Sequence, residues 1–170
     1  MFCTLADLSL YKNTKKRLMG VDLGDKTVGL SLSDLSLTIA TPYKTLNRQG
    51  QEKTFNELKT IIEEHKVAAL IFGYPLNMNG TEGPQSQKVK AFAGKFYEFY
   101  TIPIFLWDER LSTAAVTRTM IAADLSRKRQ KEVVDKMAAS FILQGVLDIL
   151  KRSDTGERSH GASPVASQST

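Results

Sequence analysis

Leu18-Met19-Gly20-Val21-Asp22-Leu23-Gly24 is an apolar run of strand character with a carboxylate in its middle. A period of two puts Val21 and Leu23 on one face, and Gly20, Asp22 and Gly24 on the other. Burying an ionised carboxylate costs several kcal/mol unless something pairs with it. The glycines beside Asp22 remove side chains, and so leave room on its face for an ion or a phosphate. A strand-end Asp bonded to backbone amides of the next turn fits the same pattern, and both readings stand at this point.

Working outward, Asp25-Lys26-Thr27 makes a turn and Val28 to Asp34 alternates like a second strand, which is a β-hairpin signature. A third strand is expected over Leu37 to Leu46, with Pro42 marking an edge or a break. From about Gln51 to Lys66, Phe55, Leu58, Ile61 and Ile62 recur at helical spacing. Val67 to Gly73 is uninterrupted and apolar, the form of a strand covered on both faces. Tyr74 to Pro84 is rich in turn formers and reads as a loop. Val89, Phe92, Phe96 and Phe99 mark a second helix, and Ile102 to Trp107 a further buried strand that ends at Asp108-Glu109-Arg110. Ser112 is a good N-cap for a helix to about Asp124. Ser126 to Lys131 reads as a basic linker, and a last helix runs from about Glu132 to Lys151.

The expected organisation is an N-terminal extension over residues 1–15, one domain over 16–151, and a small, polar, disordered tail over 152–170. A hairpin followed by strand-helix alternation describes an α/β domain with a mixed sheet and helices on both faces. Ligands of such sheets sit outside the carboxyl ends of the strands, the edge where Asp22 and Glu109 would lie.

With 170 residues, 42% hydrophobic and 24% charged, the chain has the composition of a soluble globular domain with a real core. A net charge of +5 leans toward a polyanionic partner. A single cysteine, Cys3, excludes an internal disulfide and a cysteine zinc cluster. No apolar run approaches the roughly 20 residues that span a bilayer, and the first residues are unlike a secretory signal. A soluble, cytoplasmic protein without membrane contact is expected. His65 on a helix and His160 in the tail offer no nucleophile or metal chemistry.

The last helix supplies a third acid. Asp135 shares a face with Ala138, Ala139, Ile142, Val146 and Ile149, so a carboxylate opens an otherwise apolar stripe; an acid placed in a first helical turn by the macrodipole is the alternative. Asp22, Glu109 and Asp135 come from three elements that a sheet and a packed helix can bring to one point. Like charges about 4 Å apart repel by about 4 kcal/mol at an effective dielectric near 20, and a divalent cation relieves that. Oxygen donors suit Mg2+ or Mn2+, and two such ions are the usual apparatus for attack of water on a phosphodiester. Arg127, Lys128 and Arg129 would flank this site and contact backbone phosphates, unless the run is simply a solvated turn. Arg110 would orient a phosphate or pair with Asp108. Lys26, in the turn after the first strand, and Asn77 and Asn79, in a loop able to close over a substrate, complete the candidate nucleic-acid contacts.

Four stretches then share a resemblance: Gly20-Val-Asp-Leu-Gly-Asp-Lys-Thr-Val-Gly29, Gly73-Tyr-Pro-Leu-Asn-Met-Asn-Gly-Thr-Glu82, Asp108-Glu-Arg-Leu-Ser-Thr113 and Val134-Asp-Lys-Met-Ala-Ala139. In this order they resemble the motifs of the YqgF-type bacterial family, over about residues 16 to 150. That family is associated with Holliday junction resolution and with maturation of the 5′ end of 16S rRNA. The resemblance implies an RNase H-like fold, a five-stranded mixed sheet with its first three strands antiparallel and helices on both faces. It also implies that Asp22, Glu109 and Asp135 carry metal-dependent chemistry. RuvC-type resolvases place an acid at the end of the fourth strand, where this chain has Phe72-Gly73-Tyr74.

The expected function is therefore metal-dependent cleavage of precursor 16S rRNA, with ribosomal precursor particles as partners and a monomer or homodimer as the working form. A DNA four-way-junction resolvase, which needs a two-fold dimer, and a non-catalytic RNA-binding assembly factor are the alternatives. Sugar kinases and actin-like ATPases share the opening hairpin but need a much longer chain.

Overall fold

The structure, a computed structural model, describes residues 2–108 and 127–154, with side chains for 2–108 and 137–152. Its elements run α1 (Leu5–Ser9), β1 (Arg17–Leu23), β2 (Thr27–Ser33), β3 (Ala40–Asn47), α2 (Gln51–His65), β4 (Val67–Gly73), α3 (Pro84–Phe99), β5 (Ile104–Trp107) and α4 (Arg127–Asp154). The five strands form one sheet in the order β3-β2-β1-β4-β5. β1 pairs antiparallel with β2, and β2 with β3, whereas β4 lies parallel to β1 and β5 parallel to β4. The expected fold class is the observed one.

Strand alternation divides the core in two. Met19, Val21 and Leu23 join Leu70 and Phe72 under α2 and α3, where Phe55 meets Phe92 and Phe96 edge to face. Leu18, Ala69 and Ile71 face the other way, onto Ile142, Leu143, Val146 and Leu147 of α4. β4 is buried along its whole length because helices cover both faces. β3 is an edge strand with a register shift that places Pro42 opposite Ser31, so the proline sits where a missing amide costs least.

Two expectations change. The N-terminal segment is part of the packed structure: Leu8 is fully buried among the α4 side chains, Cys3 N donates to Ile104 O at 2.7 Å, and Lys12 Nζ donates to Leu150 O at 2.6 Å. An apolar residue flanked by polar ones gave too short a pattern to reveal this. The last helix also begins earlier, at Arg127, so Arg127, Lys128 and Arg129 stand in its first turns rather than in a linker. Arg, Lys and Gln are good helix formers, and propensity carries the helix back through them. The helix expected over 112–124 and the tail from residue 155 lie outside the described residues. No described helix is long and apolar enough to cross a membrane.

Candidate active site

Asp22 is the penultimate residue of β1, half-buried, and paired in register with Gly29 of β2. Its side of the sheet is the one α4 covers, and the fit there is close. A Cβ built on Gly20 would lie 2.5 Å from the Ala139 carbonyl oxygen and 2.9 Å from Leu143 Cβ. The Ser31 hydroxyl donates to that same Ala139 oxygen at 2.7 Å, and both Ser31 and Gly20 are fully enclosed. Gln144 adds a second tie, accepting from Ala40 N at 2.8 Å and donating to Thr38 O at 3.0 Å. At Gly29 the fit is looser: a Cβ there would meet Asp22 Cβ at 3.7 Å and Ala139 Cβ at 3.9 Å, ordinary contact distances. Gly29 and Ala139 thus lie beside Asp22 where α4 meets the sheet.

The parallel registers bring other elements to this edge. Val21 stands level with Phe72, and Gly73 with Trp107, so the carboxyl ends of β1, β4 and β5 coincide. Asp108 follows β5 directly, and Tyr74 N donates to Trp107 O at 2.8 Å. Glu109 and Arg110 lie outside the described residues. Asp135 falls in α4, four residues or about 6 Å along the axis before Ala139; its side chain, like those of Arg127, Lys128 and Arg129, is not among those described. No group of three or more His, Cys, Asp or Glu residues clusters among the described residues.

The turn after β1 is braced by a residue the sequence did not single out. Arg48 donates from Nη1 to Gly24 O at 2.7 Å and from its backbone to Lys26 O at 2.9 Å, and its guanidinium lies 5.4 Å from the Phe92 ring centroid. Only folding brings β3 to that turn. Lys26 is exposed at its tip, and Asp25 faces Lys88 at 3.5 Å.

The loop after β4 is internally bonded. Leu76 and Glu82 form a bridge, Asn77 N donates to Thr81 O at 2.9 Å, and Gly80 N donates to Asn77 O at 2.8 Å. The Asn79 side chain accepts from Thr81 N at 3.1 Å and from its hydroxyl at 2.7 Å, and Asn77 Nδ2 donates to Thr81 Oγ1 at 3.0 Å. Both amides named as candidate contacts thus shape the turn. Burial, and then the hydrogen bond to Glu82, push the Tyr74 phenol up to about 12. Burial likewise raises the Cys3 thiol to about 11, which keeps it protonated and unreactive. Burial of Asp34 opposes its charge, but hydrogen bonds from Thr38, Ser36 and Ile39 hold the carboxyl well below the usual range and fix the β2–β3 loop. His65 bonds Tyr43 Oη at 3.0 Å where α2 ends, just before β4 begins and away from the carboxyl edge.

A five-stranded mixed sheet with an acid near the end of its first strand and a helix laid across that face is the arrangement of RNase H-like domains. The chain belongs to the family described as "RuvX: Holliday junction resolvase", which matches residues 16–149. A relative from Paramagnetospirillum magneticum, named "Putative pre-16S rRNA nuclease", is 50% identical over 143 residues, 84% of this chain and 92% of the relative. One of the same name from Thermoanaerobacter pseudethanolicus is 52% identical over 136 residues, 79% of this chain and 98% of the relative. Among solved structures, Thermus thermophilus RuvC in complex with a Holliday junction substrate shares the fold at a TM-score of 0.52 and 10% identity, covering 82% of this chain and 97% of that one. The yeast mitochondrial Holliday junction resolvase does so at 0.51 and 12%, covering 91% and 88%.

Proposed function

We propose that this chain is a metal-dependent nuclease that hydrolyses phosphodiester bonds in precursor 16S rRNA. The observation that carries the reading is Asp22, a half-buried carboxylate next to Gly29 and close to Ala139, at the edge where three strands end. A carboxylate at the carboxyl edge of the sheet is a hard oxygen donor, and its chemistry fits Mg2+ or Mn2+. Asp22, Glu109 and Asp135 would hold one or two such ions. Bound there, a divalent cation supplies an activated water and neutralises charge on the leaving oxygen. The chain's own part is to position. Gly29 adds no side-chain bulk beside Asp22, and the Ser31–Ala139 hydrogen bond ties α4, the helix that carries Asp135, to the sheet. Lys26 at the exposed turn, with Arg110, Arg127, Lys128 and Arg129, would hold backbone phosphates, while Asn77 and Asn79 set the loop that borders the strand. The relatives' shared name supports rRNA as the substrate, and with it action on ribosomal precursor particles in the cytoplasm.

The family description favours a second reading, resolution of four-way DNA junctions by a homodimer. Against it, β4 ends in Phe72-Gly73-Tyr74 without an acid. The test is cleavage of a 5′-extended 16S rRNA fragment and a four-way DNA junction, side by side in Mn2+, Mg2+ and EDTA, with Asp22→Asn as control. Metal-dependent cutting of the rRNA that Asp22→Asn lacks, with its fold intact, is expected. Cutting of the junction alone moves the assignment to the second reading. Binding without cutting makes the chain an assembly factor, and full activity in Asp22→Asn refutes the role given to that residue.

A further inference from the structure

One residue fastens both ends of the turn that follows β1. Arg48 is the first residue beyond β3, whose last pair joins Asn47 to Thr27, and its backbone N–H carries the ladder one step further, to Lys26 O at 2.9 Å. Its side chain reaches back across the turn and donates from Nη1 to Gly24 O at 2.7 Å and to Asp25 O at 3.5 Å. The guanidinium also lies 5.4 Å from the ring centroid of Phe92, a core residue packed edge to face on Phe55. From the first turn of α3, Gln85 Nε2 donates at 3.2 Å to Leu23 O, and Gly24 N closes the turn on Thr27 O at 2.8 Å. The carbonyls of Leu23, Gly24 and Lys26, just after Asp22, thus each accept from a residue far along the chain. The hairpin itself does not require this, since β1 and β2 are already joined by the pairs Asp22–Gly29 and Leu23–Val28. Lys26 stands exposed within the clamp, and its ammonium has no partner among the described residues.

We propose that Arg48 is a positioning residue: it fixes the β1–β2 turn in advance, so that Lys26 meets a backbone phosphate of the RNA on a backbone that is already ordered. The inference rests on the nuclease reading, in which Lys26 holds a phosphate. A lysine on a loose turn loses part of its attraction to the ordering of the backbone beneath it. Here folding has ordered that backbone before the RNA arrives. Arginine suits the task better than lysine, because its planar group donates to a carbonyl from one edge while its face lies against an aromatic ring. Arg48 acts on the RNA only through Lys26. The two residues should therefore count once, and their substitutions should not add.

The experiment uses full-length protein in the Asp22→Asn background, so that binding is read without cleavage. The parent, Lys26→Ala, Arg48→Met, Arg48→Lys and the Lys26→Ala/Arg48→Met pair are titrated with the 5′-extended 16S rRNA fragment at several salt concentrations. Lys26→Ala should weaken binding about fivefold at about 0.1 M salt and lower the slope of log K against log salt by about 0.7, the loss of one phosphate contact on a single strand. Arg48→Met should reproduce most of both changes, and adding it to Lys26→Ala should move neither further. Arg48→Lys keeps the charge but loses the fork and the flat face, and should behave as Arg48→Met does. Gln85→Ala, which frees Leu23 O, should show the same coupling to Lys26 at smaller size, and it carries the test where an Arg48 variant does not fold. Equal losses from Arg48→Met with and without Lys26 mean that Arg48 stabilises the fold alone or touches phosphate itself, and overturn the proposal. Full binding by Arg48→Lys overturns it as well, because charge then suffices. Cleavage of the same fragment by protein with Asp22 intact reports on the nuclease reading separately. Cutting together with additive losses sinks the positioning role alone, whereas a parent that neither binds nor cuts sinks both.

Discussion

The seating of α4 on β1 predicts opposite outcomes for two glycines that look alike in the sequence. At Gly20 an added methyl would lie 2.5 Å from Ala139 O, a backbone atom that already accepts the Ser31 hydroxyl, and 2.9 Å from Leu143 Cβ. Ordinary Cβ contacts begin near 3.4 Å, so the helix must retreat by about 0.9 Å at its closest point. Overpacking of this kind costs about 1–3 kcal/mol, partly offset by the roughly 0.5–1 kcal/mol that Ala gains over Gly within an element. A net loss of about 1–2 kcal/mol lowers Tm by about 2–8 °C in a chain of this size. At Gly29 the same methyl meets Asp22 Cβ at 3.7 Å and Ala139 Cβ at 3.9 Å, which needs no retreat. Gly29→Ala should therefore match or exceed the parent in stability while placing a methyl against Asp22. Thermal melting followed by circular dichroism, together with the rRNA cleavage assay, separates the two. Gly20→Ala should melt lower, and Gly29→Ala should fold normally and cut poorly. A Gly20→Ala protein that melts with the parent, or a Gly29→Ala protein of full activity, refutes the packing or the need for a bare position beside Asp22 respectively.

Leu8→Ala should cost about 2–5 kcal/mol, the usual range for a buried leucine, since Leu8 is fully enclosed against α4; a denaturant midpoint within error of the parent would show that the N-terminal helix is not docked. Tyr74 gives a pH signature. Its folded value of about 12 exceeds the ordinary 10, so the unfolded chain loses this proton first. The stability it contributes is fully present below pH 10 and is lost as pH rises toward 12. Tyr74→Phe should shrink the alkaline drop in Tm between pH 10 and 12, and identical pH profiles would contradict a Tyr74 phenol held neutral by burial and by Glu82.

Local pattern reached far in this chain because each strand has a fixed relation to its helices. Val67 to Gly73 was readable as a doubly covered strand from its unbroken apolar run, and it is buried throughout. The face of Asp22 followed from alternation alone. The basic run before Asp135 misled, because charge was read as a linker where helix propensity prevailed. Arg48 was not legible: nothing near it in sequence announces that its guanidinium will cap a turn formed some twenty residues earlier. That the amides of Asn77 and Asn79 shape their own loop through Thr81 was equally not legible.

By itself the sequence determined the order of the five strands and of the helices between β3 and β5, the side of β1 that carries the acid, and the four motifs that carry the family resemblance, since all of these are written in spacing over a few residues. Tertiary structure decided what lies across that face. The closeness of α4 to Gly20, the looser fit at Gly29, the burial of Leu8 and the bond from Gln85 to Leu23 all join positions distant along the chain. Their physical basis is close packing: contacts on the ångström scale between separate elements exist only once the sheet and its helices have been laid together.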